Sequence, residues 1–152
     1  MILESISSIE SAKKFCLNNF CDSSPFLSYN FFKLLEDTKC TDKLSGWIPE
    51  HIIIKEEKEV VGFLPNFKKL NSYGEYVFDQ VFEQAYYQLG YEYFPKFLSG
   101  IPFTPVGRLK FMYSKDQTKI DKVLKLLIQF LEKSNISSFH ANFLSQKSSN
   151  KL

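Results

Sequence analysis

Two periods alternate along the chain, and the switches between them mark out its elements. Ser7-Ser8-Ile9-Glu10 has the form of a capping box, a hydroxyl followed three residues later by a carboxylate. Ile9, Ala12, Cys16 and Phe20 then share one helical face. Asp22-Ser23-Ser24-Pro25 breaks the pattern. A second helix starts with Ser28 as N-cap, turns Phe31, Leu34 and Leu35 inward, and ends before Cys40-Thr41-Asp42. Glu50 to Lys69 reads as a hairpin: a β-branched run His51-Ile52-Ile53-Ile54, a charged turn Lys55-Glu56-Glu57-Lys58, and a return through Val60-Val61-Gly62-Phe63-Leu64. Pro65 marks an edge or a bulge before Phe67, Lys68 and Lys69.

A third helix is predicted from Asp79 to Leu89, with Val81, Phe82, Ala85, Tyr86 and Leu89 on its core face and Gly90 as its left-handed stop. Tyr91 to Ile101 reads as a strand. The two prolines and the glycine of Pro102-Phe103-Thr104-Pro105-Val106-Gly107-Arg108 rule out regular structure there. The clearest helix carries Ile120, Val123, Leu124, Leu127, Ile128 and Leu131 inward, with Lys122, Lys125, Gln129 and Lys133 outside. Ser138 to Leu144 alternates as a last strand. The expected class is α/β of the α+β kind, a mixed, partly parallel sheet flanked by helices in the order α-α-β-β-α-β-α-β. The Ile120–Leu131 helix is expected to pack across a sheet containing Ile52–Ile54 and Phe139–Phe143. Residues 1–144 form one domain, and 145–152 a polar tail.

Composition narrows this picture. At 152 residues, 44% apolar and 24% charged, the chain can bury one core, which excludes disorder or a coiled coil as a description of the whole. Nineteen basic residues against 17 acidic leave a net charge of +2, and all the basic residues but Arg108 are lysines. Forked arginines dominate bidentate reading of bases and phosphates, so specific nucleic-acid binding is not expected. Cys16, Cys21 and Cys40 make an odd set without a CxxC pair, which fits a reducing, cytoplasmic setting rather than a disulfide framework. Neither His51 nor His140 has a close Cys or His partner in sequence, so no metal site is expected. The N-terminus lacks the basic and apolar regions of a signal peptide, and no apolar run has the ~18 residues of a membrane span.

Two stretches carry the chemistry. Ser72-Tyr73-Gly74-Glu75-Tyr76-Val77-Phe78-Asp79 sets two carboxylates and two phenols around a glycine between a strand and a helix. Glu75 or Asp79 is a candidate general base for an amine, and Tyr73 and Tyr76 are candidate substrate contacts. Set against this, Asp79 is equally a helix cap. Downstream, Lys96 and Arg108 are candidate anion contacts and Thr104 a hydroxyl donor, although Lys96 also fits a solvated strand position. The single Gly107 among prolines supplies few aligned N–H groups for a pyrophosphate, so tight binding of acetyl-CoA by this chain alone is not expected.

These same stretches carry a resemblance. Ser24-Pro25-Phe26-Leu27-Ser28, Ser72 to Asp79, Tyr93-Phe94-Pro95-Lys96, Ile101-Pro102-Phe103-Thr104-Pro105-Val106 and His140-Ala141-Asn142-Phe143-Leu144 follow one another in the order seen in FemAB-like proteins, which the chain resembles from about Ser24 to Leu144. That bacterial family is described as peptidoglycan biosynthesis/recognition proteins or GNAT-type N-acyltransferases. The resemblance implies a GNAT-like fold and amide-forming transfer to an amine acceptor, with an acyl-CoA or aminoacyl-tRNA as donor substrate and no resident cofactor. It also implies that this chain corresponds to the first of two GNAT-like halves. Its partner would be the second half or another copy of itself. A truncated, non-catalytic product or a binding module for a wall precursor or protein is the alternative.

Overall fold

The computed structural model describes residues 1–15, 24–106, 112–113, 119–144 and 146–149. Its strands are β1 (Ile2–Ile6), β2 (Trp47–Pro49), β3 (His51–Glu56), β4 (Glu59–Leu64), β5 (Asn66–Lys69), β6 (Lys96–Ser99), β7 (Met112–Tyr113) and β8 (Phe139–Ala141). The α-helices are α1 (Tyr29–Asp37), α2 (Gln80–Gln88), α3 (Ile120–Lys133) and a short α4 (Gln146–Ser149). The class is α+β, as the periodicity predicts, but the strands form two sheets instead of one. The first is ordered β1-β3-β4-β7 and the second β2-β5-β6-β8, four strands in each.

The split has a local cause. Trp47–Glu56 and Glu59–Lys69 form the two arms of one long hairpin, closed by the turn at Glu57 and Lys58, and both arms change sheet at the same level. Glu50 and Pro65 are the corner residues. There Glu50 N–H donates to the Asn66 carbonyl at 3.0 Å, and Asn66 Nδ2 donates to the Glu50 carbonyl at 3.0 Å. Pro65 has no N–H to lose, and its carbonyl accepts from Ser99 Oγ at 2.8 Å. The position that the sequence marks as an edge or a bulge is therefore the hinge at which a hairpin is shared between two sheets.

Alternation along the hairpin sends opposite faces to different covers. Ile53 and Phe63 are register partners and meet Phe32 of α1, Ile9 and Leu27 in the main core. Ile52 and Leu64, also partners, face the other way and are covered by Leu127 of α3, with Leu3, Phe130, Leu131 and Phe139 around them. Phe130 also stacks on Phe97 of β6, so α3 lies across both sheets. β6 and β8 pair in parallel with α3 between them in the chain, the crossover expected for the last two strands.

Several expectations change. Residues 2–6, to which the periodicity assigns no element, form β1, an edge strand on β3. The first helix is a 3-10 helix over Ile9–Phe15, and Cys16 and Phe20 lie outside the described residues. Its free end is capped from another helix: Glu36 of α1 accepts from Ser8 Oγ at 2.6 Å and from Ile9 N–H at 2.9 Å. In α1 Ser28 is the N-cap, its Oγ accepting from Phe31 N–H, but Phe32 is the buried residue and Leu34 is 59% exposed. The stretch read as a strand from Tyr91 is regular only over Lys96–Ser99, and the last strand only over Phe139–Ala141. The largest reversal is α2. It buries no side chain, and Val81, Phe82 and Leu89, expected in the core, face solvent.

Candidate functional site

Register places two lysines face to face. Across the second sheet Trp47, Lys69 and Lys96 are successive partners on β2, β5 and β6. Lys69 lies two residues after buried Phe67, on the same strand face, so the pleat carries its side chain inward. Directly opposed like charges repel, and both lysines are fully buried. The chain resolves this with the turn that follows β5, which lays two carboxylates over the pair.

Lys96 Nζ donates to Glu75 Oε2 at 2.9 Å and to Asp79 Oδ2. Asp79 Oδ2 also accepts from the buried Tyr93 hydroxyl at 2.7 Å. Lys69 Nζ stands 3.9 Å from Glu75 Oε1, donates to the Tyr73 carbonyl at 3.2 Å and lies 3.7 Å over the Trp47 ring. The turn is held by its backbone: Trp47 Nε1 donates to the same Tyr73 carbonyl at 2.9 Å. Gly74 has φ +75°, and a Cβ there would meet Phe103 Cδ1 at 2.5 Å, so only glycine lets the Phe103 ring close over Trp47. That contact joins the two stretches that the sequence singles out.

The ionisable groups of this cluster are not equivalent. Burial alone would raise Asp79, but hydrogen bonds from Lys96, Ser72 and Tyr93 prevail and bring its pKa down to about 2. Burial raises Glu75 above the usual carboxylate range, against the pull of Lys96 and Lys69. Burial lowers Lys69 to about 7, with Glu75 opposing the shift and Lys96 reinforcing it. Burial and then the Asp79 carboxylate push the Tyr93 phenol upward. Asp79 is thus held ionised beside Lys96, while burial moves Glu75 upward and Lys69 downward. Among the described residues Glu75 Oε1 and Asp79 Oδ1 are buried and accept no hydrogen bond.

Of the sequence-predicted residues, Glu75, Asp79 and Lys96 come together. Lys96 is a buried partner of both carboxylates and not a solvated strand residue. The Asp79 side chain makes no cap bond to α2, although the residue occupies the N-cap position. Tyr73 and Tyr76 point outward, at 80% and 57% exposure. Thr104 Oγ1 donates to the Pro102 carbonyl at 3.0 Å. Arg108, with Gly107, lies outside the described residues. Sequence reading missed Lys69. Its signal was the two-residue spacing from Phe67, masked by the neighbouring Lys68.

A family profile described as FemAB-like, peptidoglycan biosynthesis/recognition, matches residues 5–152. The chain belongs to the FemAB-like family. No curated protein and no solved structure gives a significant match. The FemAB-like match spans every residue of the buried cluster and both aromatic stretches. Among the described residues no helix is long and apolar enough to cross a membrane, and no group of three or more His, Cys, Asp or Glu side chains could hold a metal ion.

Proposed function

We propose that this FemAB-like chain is a GNAT-type N-acyltransferase domain of cytoplasmic peptidoglycan-precursor metabolism, with Glu75 as the base that accepts the proton of an acceptor amine. The observation that carries this reading is Glu75 itself, a buried carboxylate with one oxygen unpartnered beside a lysine whose pKa is about 7. An amine acceptor is protonated at neutral pH, and burial, by raising Glu75 above the usual carboxylate range, makes it a stronger base toward that proton. The amine nitrogen then bonds to the carbonyl carbon of an acyl ester or thioester, and the bond to the leaving oxygen or sulfur breaks. Glu75 holds the proton taken from the ammonium and releases it to solvent, and the second proton that nitrogen loses on bond formation goes to the leaving group. Asp79, held ionised, keeps Lys96 and the Tyr93 hydroxyl in place and so positions Glu75. Tyr73 and Tyr76 are the proposed acceptor contacts, Thr104 and Arg108 those of the donor, and the acyl-CoA or aminoacyl-tRNA is a substrate.

One observation favours a second reading, a recognition module that holds a wall precursor without turnover. The side chains of Glu75, Lys69 and Lys96 are all fully enclosed, as in a structural strut. Transfer of a labelled acyl or aminoacyl group to the free amine of a stem-peptide precursor separates the two. Catalysis predicts transfer by the wild-type chain and a loss of 100-fold or more, on the order of a general base's contribution, in Glu75→Gln with the fold retained. Precursor binding without transfer from either donor class supports recognition instead.

A further inference from the structure

Helix α2 reverses the usual order of surface and core. The charged residues that flank it, Glu75 and Asp79, are buried, while its apolar side chains are in solvent. Phe78 is 87% exposed, Val81 75%, Phe82 65%, Leu89 72% and Tyr91 66%. At 100° per residue Val81, Phe82, Ala85 and Leu89 share one arc of the helix, with Phe78 just before it and Tyr91 just after. Monomeric proteins rarely leave a contiguous apolar stripe of this kind uncovered, and such stripes mark interaction sites.

We propose that α2 is the interface through which two copies of this chain pair about a two-fold axis. Three observations select a second copy as the occupant. The first is size. Taking on the order of 200 Å² for a fully exposed aromatic residue, the exposed fractions sum to roughly 700 Å² per chain, close to the ~800 Å² that each partner contributes to a stable interface. The second is charge. The rest of the helix surface is Gln80, Gln84, Gln88, Tyr87 and one Glu83, with no Lys or Arg in a chain of 19 basic residues. An anionic lipid surface or a nucleic acid would find no cation there. An uncharged face set against its own copy brings no like charges together. The third is geometry. An isologous contact needs one self-compatible patch, and an apolar helix stripe laid antiparallel on itself meets that requirement. The pairing is independent of the acyl-transfer reading, because it uses none of the residues assigned there.

Sedimentation velocity of the full chain between 1 and 100 μM, with Phe82→Glu and Leu89→Glu in parallel, tests this directly. The wild type should sediment as a dimer, and each variant as a monomer with an unchanged far-ultraviolet circular dichroism spectrum, since neither side chain supports the core. Using two separate variants guards against one of them misfolding. A wild-type monomer throughout the range overturns the proposal, as does a dimer that survives both substitutions. Open-ended association without a dimer plateau, or a monomer that pellets with phosphatidylglycerol vesicles, overturns it as well.

Discussion

Lys96 is the residue on which the buried cluster depends. It is a cation with no exposure, and the fold tolerates it because Glu75 and Asp79 supply opposite charge at hydrogen-bond range. Removing one partner from a buried pair leaves an uncompensated charge and costs about 3–5 kcal/mol, far more than the pair itself contributes. Asp79→Asn is therefore expected to lower the urea midpoint sharply at pH 7. The pH dependence follows from the sign of the shift. Asp79 is lowered from 3.8 to about 2, so its contribution, about 2 kcal/mol, is complete above the unfolded value and is lost as the pH falls from about 4 through 2. Glu75 acts oppositely: its raised pKa favours the protonated form in the fold, so acidification does not cost the fold its contribution. Urea titrations of both proteins at pH 7, 4 and 3 should show the gap between wild type and variant narrowing below pH 4; a constant gap would contradict the assignment. At this scale the sequence was partly legible. Two carboxylates around a glycine advertise chemistry, and they do form the cluster. Their cationic partners were harder to see, because a lysine on a strand reads as solvated unless its register is known, and the pairing of Lys69 with Lys96 is a fact of register.

Helices α2 and α3 have the same kind of sequence and opposite fates. Both show apolar residues at three- and four-residue spacing, and periodicity reports that a helix has an apolar face without naming what covers it. For α3 the cover is inside the chain, and Val123 and Leu127 are buried against it. For α2 no such cover is found among the described residues, where Tyr86 turns back to pack edge-on against Tyr93 at 5.2 Å. Even within α3 the stripe is narrower than its sequence implies: Ile128, at an expected core position, is 55% exposed. Adjacent positions then separate two outcomes. Leu127→Ala should destabilise the protein by about 2–5 kcal/mol, the range for a large core side chain cut to Ala. Ile128→Ala should stay within about 0.5 kcal/mol. Chemical denaturation of the two variants checks this, and equal losses would mean that the stripe is buried as a whole.

The division into two sheets belongs to the whole molecule and was the least legible feature. Each strand of the long hairpin has a readable pattern, but nothing in that pattern says that its halves join different sheets. The change of sheet depends on bonds between distant residues: Asn66 with Glu50, Ser99 with Pro65, and His51, whose Nδ1 accepts from Asn66 N–H at 3.3 Å. The sequence hints at the corner only through Pro49 and Pro65, one on each arm beside the bend. Because both arms continue through the corner and α3 lies over both sheets, the two sheets cannot separate without breaking the core on each side. The hairpin, β6 and α3 should therefore open together, at the free energy of global unfolding. Among the described residues helix α2 is tied to this unit by the Asp79 anchor at its start and by Tyr86, and it buries no side chain of its own. Regions with few buried apolar contacts open at low free energy. Native-state hydrogen exchange at concentrations low enough to keep the chain monomeric should thus show α2 amides exchanging through a sub-global opening, insensitive to Leu127→Ala. The amides of β3, β4 and β6 should share one slow exchange free energy that falls with that substitution. Equal protection of α2 and the hairpin under those conditions would show that the helix is part of the monomer's cooperative core, in conflict with its exposed apolar stripe.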